Sequence, residues 1–285
     1  MNMYRNHRSG VSGFTFIELS VMLVTIGLII GGIFAGKSLI RSAKLQSVIA
    51  DEIKYVEAAK QFKEKYGYLP GDFPNATTYW GAMTTCPPTA GSTSTGILTC
   101  NGSGDTQVNF LTNASASATN LAEAFLFWQH LGNAQMIEGS YTGIAGSAGS
   151  GDHVLGTNSP LSKTKNIGFG ITYVGLIKSG KDINGNSTTY FDYNYGHVLV
   201  VGGVAAGYLP ATQVFTGAEA QSLDSKYDDG LPQSGNVLTW ANGTTYNAAP
   251  VGSGYASVCS SATAYYTSAI AYGGALCSLI LVTGF

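Results

Sequence analysis

Glu18 is the residue whose placement most needs a chemical reason. Leu19 to Gly36, LSVMLVTIGLIIGGIFAG, carries no charge and is closed by Lys37. Extended back to Phe14, this stretch is long enough, at about 1.5 Å per residue, to cross a hydrocarbon core of about 30 Å. Glu18 is the single charge inside it. A carboxylate at that depth costs roughly 2.5–3.5 kcal/mol to insert and is a functional group by default. The nearest lysine, Lys37, lies beyond the span, so no cation of the chain sits at the same depth.

Other residues able to do chemistry are few. Cys86 with Cys100 and Cys259 with Cys277 form two sequence-local couples, without CxxC or a His-flanked zinc spacing. Four cysteines allow three connectivities; pairing of sequence neighbours into two small disulfide loops is the expectation for an oxidising compartment. Asp224, Asp228, Asp229 and Gly230, in LDSKYDDGLPQSG, gather carboxylates where a helix ends. Acidic groups there oppose the helix dipole, so a compensating cation is expected. Lys226 is one candidate, and a calcium ion on Asp228, Asp229 and loop carbonyls is the other. Asp182-Ile183-Asn184-Gly185-Asn186 reads as an Asn-Gly hairpin turn, with a looser likeness to a calcium turn.

No set of catalytic residues emerges. His130, His153 and His197 are scattered, and HExxH, GxSxG and Walker patterns are all missing from the sequence. Gly168-Phe169-Gly170 lacks the third glycine of a dinucleotide fingerprint. His130 shares a helical pattern with Phe125 and Trp128 and reads as a structural or surface histidine. An enzyme is therefore not expected.

The register at the N-terminus is more specific. A short basic leader, MNMYRNHRSGVSG with Arg5 and Arg8, precedes Gly13-Phe14-Thr15-Phe16-Ile17-Glu18-Leu19 and then the apolar run. This arrangement resembles the prepilin processing motif of type IV pilins and type II secretion pseudopilins, with Phe16 a conservative departure where Leu is commoner. The resemblance implies cleavage after Gly13 by a membrane prepilin peptidase and N-methylation of the new amino terminus on Phe14. Glu18 then matches the family's glutamate at the fifth mature position, and the Phe14 amino group of a neighbouring subunit becomes the missing cation.

The same resemblance implies a structural filament subunit whose partners are the prepilin peptidase, copies of itself or other pilins, and an inner-membrane assembly platform. Before assembly it would be a single-pass inner-membrane protein with its head in the periplasm; afterwards it would be part of a periplasmic or extracellular filament. No cofactor is implied, apart from the calcium that some pseudopilins carry in a C-terminal loop. The alternative is a membrane-anchored periplasmic enzyme or binding protein.

The elements that position these residues follow from periodicity. A secretory signal has a shorter apolar stretch followed by a small-residue cleavage site; here the helical pattern continues. Leu45, Val48, Ile49, Val56, Ala59, Phe62 and Tyr66 recur at three- and four-residue steps, with Glu57, Lys60, Gln61 and Lys63 off that stripe. Gly67 and Pro70 stop the pattern. One helix of about fifty residues is predicted, with a membrane half and a half packed on a head. A further helix is predicted from Asn120 to about Leu131, with Leu121, Phe125, Trp128 and Leu131 on one side. Thr216 with Glu219 is a capping-box signature for another, through about Tyr227.

Strands are predicted at 167–177, 188–201, 237–240 and 278–283. The expected fold class is α+β: a long N-terminal helix, part transmembrane and part amphipathic, packed on an antiparallel sheet with helical and loop insertions. The expected organisation is a leader at 1–13, a transmembrane segment at 14–36 and a pilin-like head at 37–285.

Composition is consistent with an exported surface protein. Only 11% of the 285 residues are charged, against about 25% in an ordinary soluble domain. Nine of the 14 basic residues lie between Arg5 and Lys65, and no charge follows Asp229. A net charge of −2 gives the whole chain no electrostatic footprint for nucleic acid or for anionic membrane surfaces.

Overall fold

The structure is a computed structural model and describes residues 13–86, 88, 96–109, 123–149, 151–164, 166–175, 194–232, 234–239, 259 and 277–285. The chain divides into two compact units, Met1–Lys44 and Leu45–Phe285. Helix α1, Phe16–Tyr66, begins in the first and ends in the second.

Within the first unit the helix has no covering. Every large apolar side chain described from Phe14 to Ile40 is exposed, and α1 is long and apolar enough to cross a membrane, with none of its apolar window buried. Its hydroxyls are satisfied locally: Ser20 Oγ donates to the Ile17 carbonyl and Thr25 Oγ1 to the Met22 carbonyl, each at 2.9 Å. Such back-bonding lets polar side chains sit in an apolar helix without an orphaned donor.

In the second unit the same helix becomes one-sided. Val48, Ile49, Ala59 and Phe62 are buried, as the periodicity predicts, and Tyr55 and Ala58 join them. Leu45, Val56 and Tyr66 pack against this core at its edge, while Glu57, Lys60, Gln61 and Lys63 remain exposed. The helix ends where expected. Gly67 adopts φ +79° and donates its N–H to the Lys63 carbonyl at 2.8 Å, the left-handed cap that glycine alone enters without strain.

The other elements of the second unit are α2 (Ala76–Trp80), α3 (Glu123–Asn133), β1 (Gly168–Tyr173), β2 (His197–Gly202), α4 (Gly217–Tyr227), β3 (Val237–Thr239) and β4 (Leu279–Val282). The five-residue α2 has no counterpart in the sequence prediction. The strands form one antiparallel sheet in the order β1-β2-β4-β3. Leu199 faces Ile171 on one side and Leu281 on the other, and Ile280 is shared between Val200 and Leu238. All six residues of β2 are buried. Burial on both faces explains why Val198-Leu199-Val200-Val201 is a continuous apolar run rather than an alternation.

The predicted strands were longer than those observed: 174–175 and 194–196 are irregular. Residues 176–193, with the Asn184-Gly185 turn, lie outside the described residues, as do Trp240 and Asn120. Helix α4 has the predicted capping box. Thr216 Oγ1 accepts the Glu219 N–H at 3.2 Å and Glu219 Oε2 accepts the Thr216 N–H at 2.8 Å.

Helix α3 departs from the one-sided reading, because every residue from Glu123 to Leu131 is buried. Phe125, Phe127, Trp128 and Leu131 enter the main core, and Leu126 enters a second cluster with Met83, Cys100 and Ile144. A helix inserted between two apolar clusters needs no polar face, but its polar residues must then find partners inside.

Candidate functional site

Gly13, Phe14 and Thr15 precede α1, and Thr15 caps it. Thr15 Oγ1 accepts the Glu18 N–H at 3.3 Å, while Glu18 Oε2 accepts both the Thr15 N–H and the Thr15 hydroxyl at 2.8 Å. Leu19 N–H to the Thr15 carbonyl, 3.1 Å, is the helix's first turn. The sequence offers Glu18 no cation of its own chain at the same depth. The structure adds a neutral partner: Thr15-x-x-Glu18 is a capping box. Hydrogen bonds from Thr15 lower the cost of withdrawing the carboxylate from water but do not cancel its charge. Among the described residues no cation pairs with Glu18. Phe14 is 76% exposed beside it.

The cysteines pair as sequence neighbours, Cys86 with Cys100 and Cys259 with Cys277. Cys100 anchors the first loop in the small apolar cluster. Cys277 exchanges backbone hydrogen bonds with Phe215, which ties the second bridge to the residue before the α4 cap.

Asp224, Asp228 and Asp229 do come together, yet each carboxylate is bound by the chain itself. Asp224 Oδ1 accepts the Gly230 N–H at 3.0 Å. Asp228 Oδ2 accepts the amides of Asn236 and Val237, and Asp229 accepts the Leu231 N–H and the Ser234 hydroxyl. The group fastens Gly230, Leu231, Ser234, Asn236 and Val237 to the end of α4 and so leads into β3. Backbone amides and the Ser234 hydroxyl donate to these carboxylates, and the exposed Lys226 lies 5.6 Å over the Tyr227 ring.

A second acidic group, not singled out in the sequence, is more deeply placed. Asp72 and Glu123 are both 1% exposed and stand with the exposed Asp105. Ser103 bridges them, its hydroxyl donating to Asp72 and its N–H to Glu123. Asp72 also accepts the amides of Asp105 and Thr106, and Glu123 that of Asn109. Burial pushes Glu123 up to about 7, against the lowering effect of its Ser103 and Asn109 bonds, and also raises Asp72.

The three histidines do not converge. His130 is fully buried: Nδ1 accepts the Gly71 N–H at 3.0 Å, so the neutral ring carries its proton on Nε2 and donates toward Thr99 Oγ1 and the Cys100 carbonyl. Thr99 in turn donates to Gln129 Oε1 at 2.7 Å, and Gln129 Nε2 donates to the carbonyls of Leu98 and Thr142. Gly71 can approach this closely only because, at φ +86°, it lacks a Cβ that would meet the Glu123 carbonyl. His197 accepts the Val108 N–H and donates to the Phe285 carbonyl; His153 donates from Nδ1 to Gly151. Burial lowers His130 to about 3 and the other two to about 4. Burial thus favours the neutral form of all three rings.

The chain matches no known protein-family model, no curated protein and no solved structure.

Proposed function

We propose that the chain is a structural subunit of a type IV filament, a pilin or pseudopilin, cleaved after Gly13, methylated on Phe14 and polymerised through α1. One observation carries this reading: a 51-residue helix whose first half is apolar and uncovered on all sides begins at a single capped carboxylate, in fixed register with Gly13 and Phe14. Such a surface needs lipid before assembly and the helices of other copies after it. Gly27, Gly31, Gly32 and Gly36 meet no neighbour among the described residues; in a fibre they would let helices approach closely. Thr15 holds the Glu18 carboxylate in the free subunit. Hydrolysis of the Gly13–Phe14 peptide bond frees the amine that a neighbouring Glu18 then pairs with. The two disulfides accord with a head placed in the periplasm.

Intact mass and N-terminal sequencing after co-expression with a prepilin peptidase tests the reading. A chain beginning at methylated Phe14, and left uncut by Gly13→Ala, supports it. A chain that keeps Met1 in the presence of active peptidase overturns it and favours an anchored periplasmic protein.

A further inference from the structure

The charge of the whole chain conceals a local concentration of cations. Leu19 to Ala50 contains Lys37, Arg41 and Lys44 and no acidic residue. Steps of four and three residues bring the three cations within about 60° of one another around α1. All three are exposed, and so are Ile40, at 58%, on the sector beside Lys44, and Leu39, at 73%, on the opposite face. This turn of helix is therefore amphipathic, directly after a run that is apolar on every side. The first cation follows the last apolar residue, Gly36, without a gap.

We propose that Lys37, Arg41 and Lys44 form a binding face for the headgroups of anionic phospholipids. The inference rests on the reading that Phe14–Gly36 spans a bilayer. Two features favour lipid as the occupant. From Lys37 to Lys44 the helix rises about 10 Å, close to the roughly 5–8 Å of headgroup region on each side of a hydrocarbon core, once long cationic side chains reach along the axis. Leu39 and Ile40 extend apolar surface from the span past its end on the faces away from and beside the cations, so long cationic side chains can reach phosphates from a helix that still meets the hydrocarbon edge. A protein partner would have to match both the cationic and the apolar sector; the edge of a lipid leaflet does so without special design. The face would hold the subunit at one depth until assembly draws it out, and it adds positive charge on the far side of the span from Arg5 and Arg8. The positive-inside rule alone therefore leaves the orientation of this helix undecided.

The test uses the full chain in phosphatidylcholine bilayers, with spin-labelled phosphatidylglycerol or phosphatidylcholine reporting the lipids slowed at the protein surface. The expected result is selection of phosphatidylglycerol on the order of fivefold at low salt. The preference should fall to parity in 1 M salt and in K37Q/R41Q/K44Q. It should persist in K60Q, which removes an exposed cation from the other unit. Equal slowing of both lipids by the wild-type chain overturns the proposal. Equal slowing together with salt-sensitive self-association in detergent, lost in the triple variant, also overturns it and assigns the face to an acidic protein surface. If neither lipid is slowed, the membrane-spanning reading itself is what fails.

Discussion

Thr15 and Glu18 bind each other reciprocally at the start of α1: the hydroxyl accepts from the Glu18 amide, and the carboxylate accepts from the Thr15 amide and hydroxyl. The contact gives the carboxylate two roles, closing the first helical turn in the single chain and presenting a negative charge beside Phe14. The two roles are separable by substitution.

Thr15→Ala removes the cap but leaves the charge. In detergent, hydrogen exchange at the amides of the first turn should speed up about fivefold, the equivalent of about 1 kcal/mol for a lost N-cap, while Thr15→Ser restores protection. Glu18→Gln should instead abolish fibre formation in an assembling host with little change in exchange. Fibres formed normally by Glu18→Gln would remove the charge from the assembly argument.

Each disulfide closes a short loop, with separations of 14 and 18 residues. Cys86→Ser with Cys100→Ser should lower the unfolding free energy by roughly 3 kcal/mol, by the loop-entropy account. Denaturant midpoints measured with and without reductant check this: reductant should shift the wild type and leave the variant's Cys86–Cys100 contribution absent. A midpoint unmoved by the double substitution would show that packing of the loop, rather than the bridge, holds it.

Phe62 belongs to α1 but is fully buried among Phe73, Tyr66, Trp80 and His130. Phe62→Ala should cost about 3–5 kcal/mol. Ile53, on the same helix and 55% exposed, should cost under about 0.5 kcal/mol when changed to Ala. Equilibrium unfolding of the two variants side by side tests whether the head packs on the predicted face of the helix; similar losses would refute that packing.

Glu123 sets a pH dependence whose sign is opposite to that of an ion-paired carboxylate. Its folded value of about 7 lies above the ordinary 4.5 because of burial. The folded state therefore binds more protons than the unfolded one between these values. Stability from this group is fully present below pH 4.5 and is lost as pH rises through 7. The histidines act the other way: their stability is present above pH 6.5 and is lost as pH falls toward 4 for His153 and His197, and toward 3 for His130. Glu123→Gln isolates the first effect. Relative to wild type the variant should gain stability between pH 5 and pH 8, by at most a few kcal/mol, as read by urea unfolding at each pH. A difference that stays flat over this range would mean that Glu123 is ionised throughout.

The parts of the molecule set by neighbours in the chain were open to sequence reasoning. A period of 3.6 needs only local side-chain chemistry, so the buried stripe of α1 through Val48, Ile49, Ala59 and Phe62 was legible, as were the Gly67 stop and the Thr216–Glu219 box. Thr15-x-x-Glu18 is likewise a local signal, a capping box whose two residues lie three apart. Tertiary structure decided what depends on residues far apart. Strand β4, from the end of the described chain, lies between β2 and β3, an order that no local pattern encodes. The burial of α3 on every side, and the meeting of Asp72, Ser103 and Glu123, follow from where that helix is inserted. His130 reads the same as a surface histidine until Gly71 and Thr99 close around it. The physical reason is the same in each case: caps and periodicity act over three or four residues, whereas the partners of a buried polar group are supplied by whichever distant segments the fold brings to it.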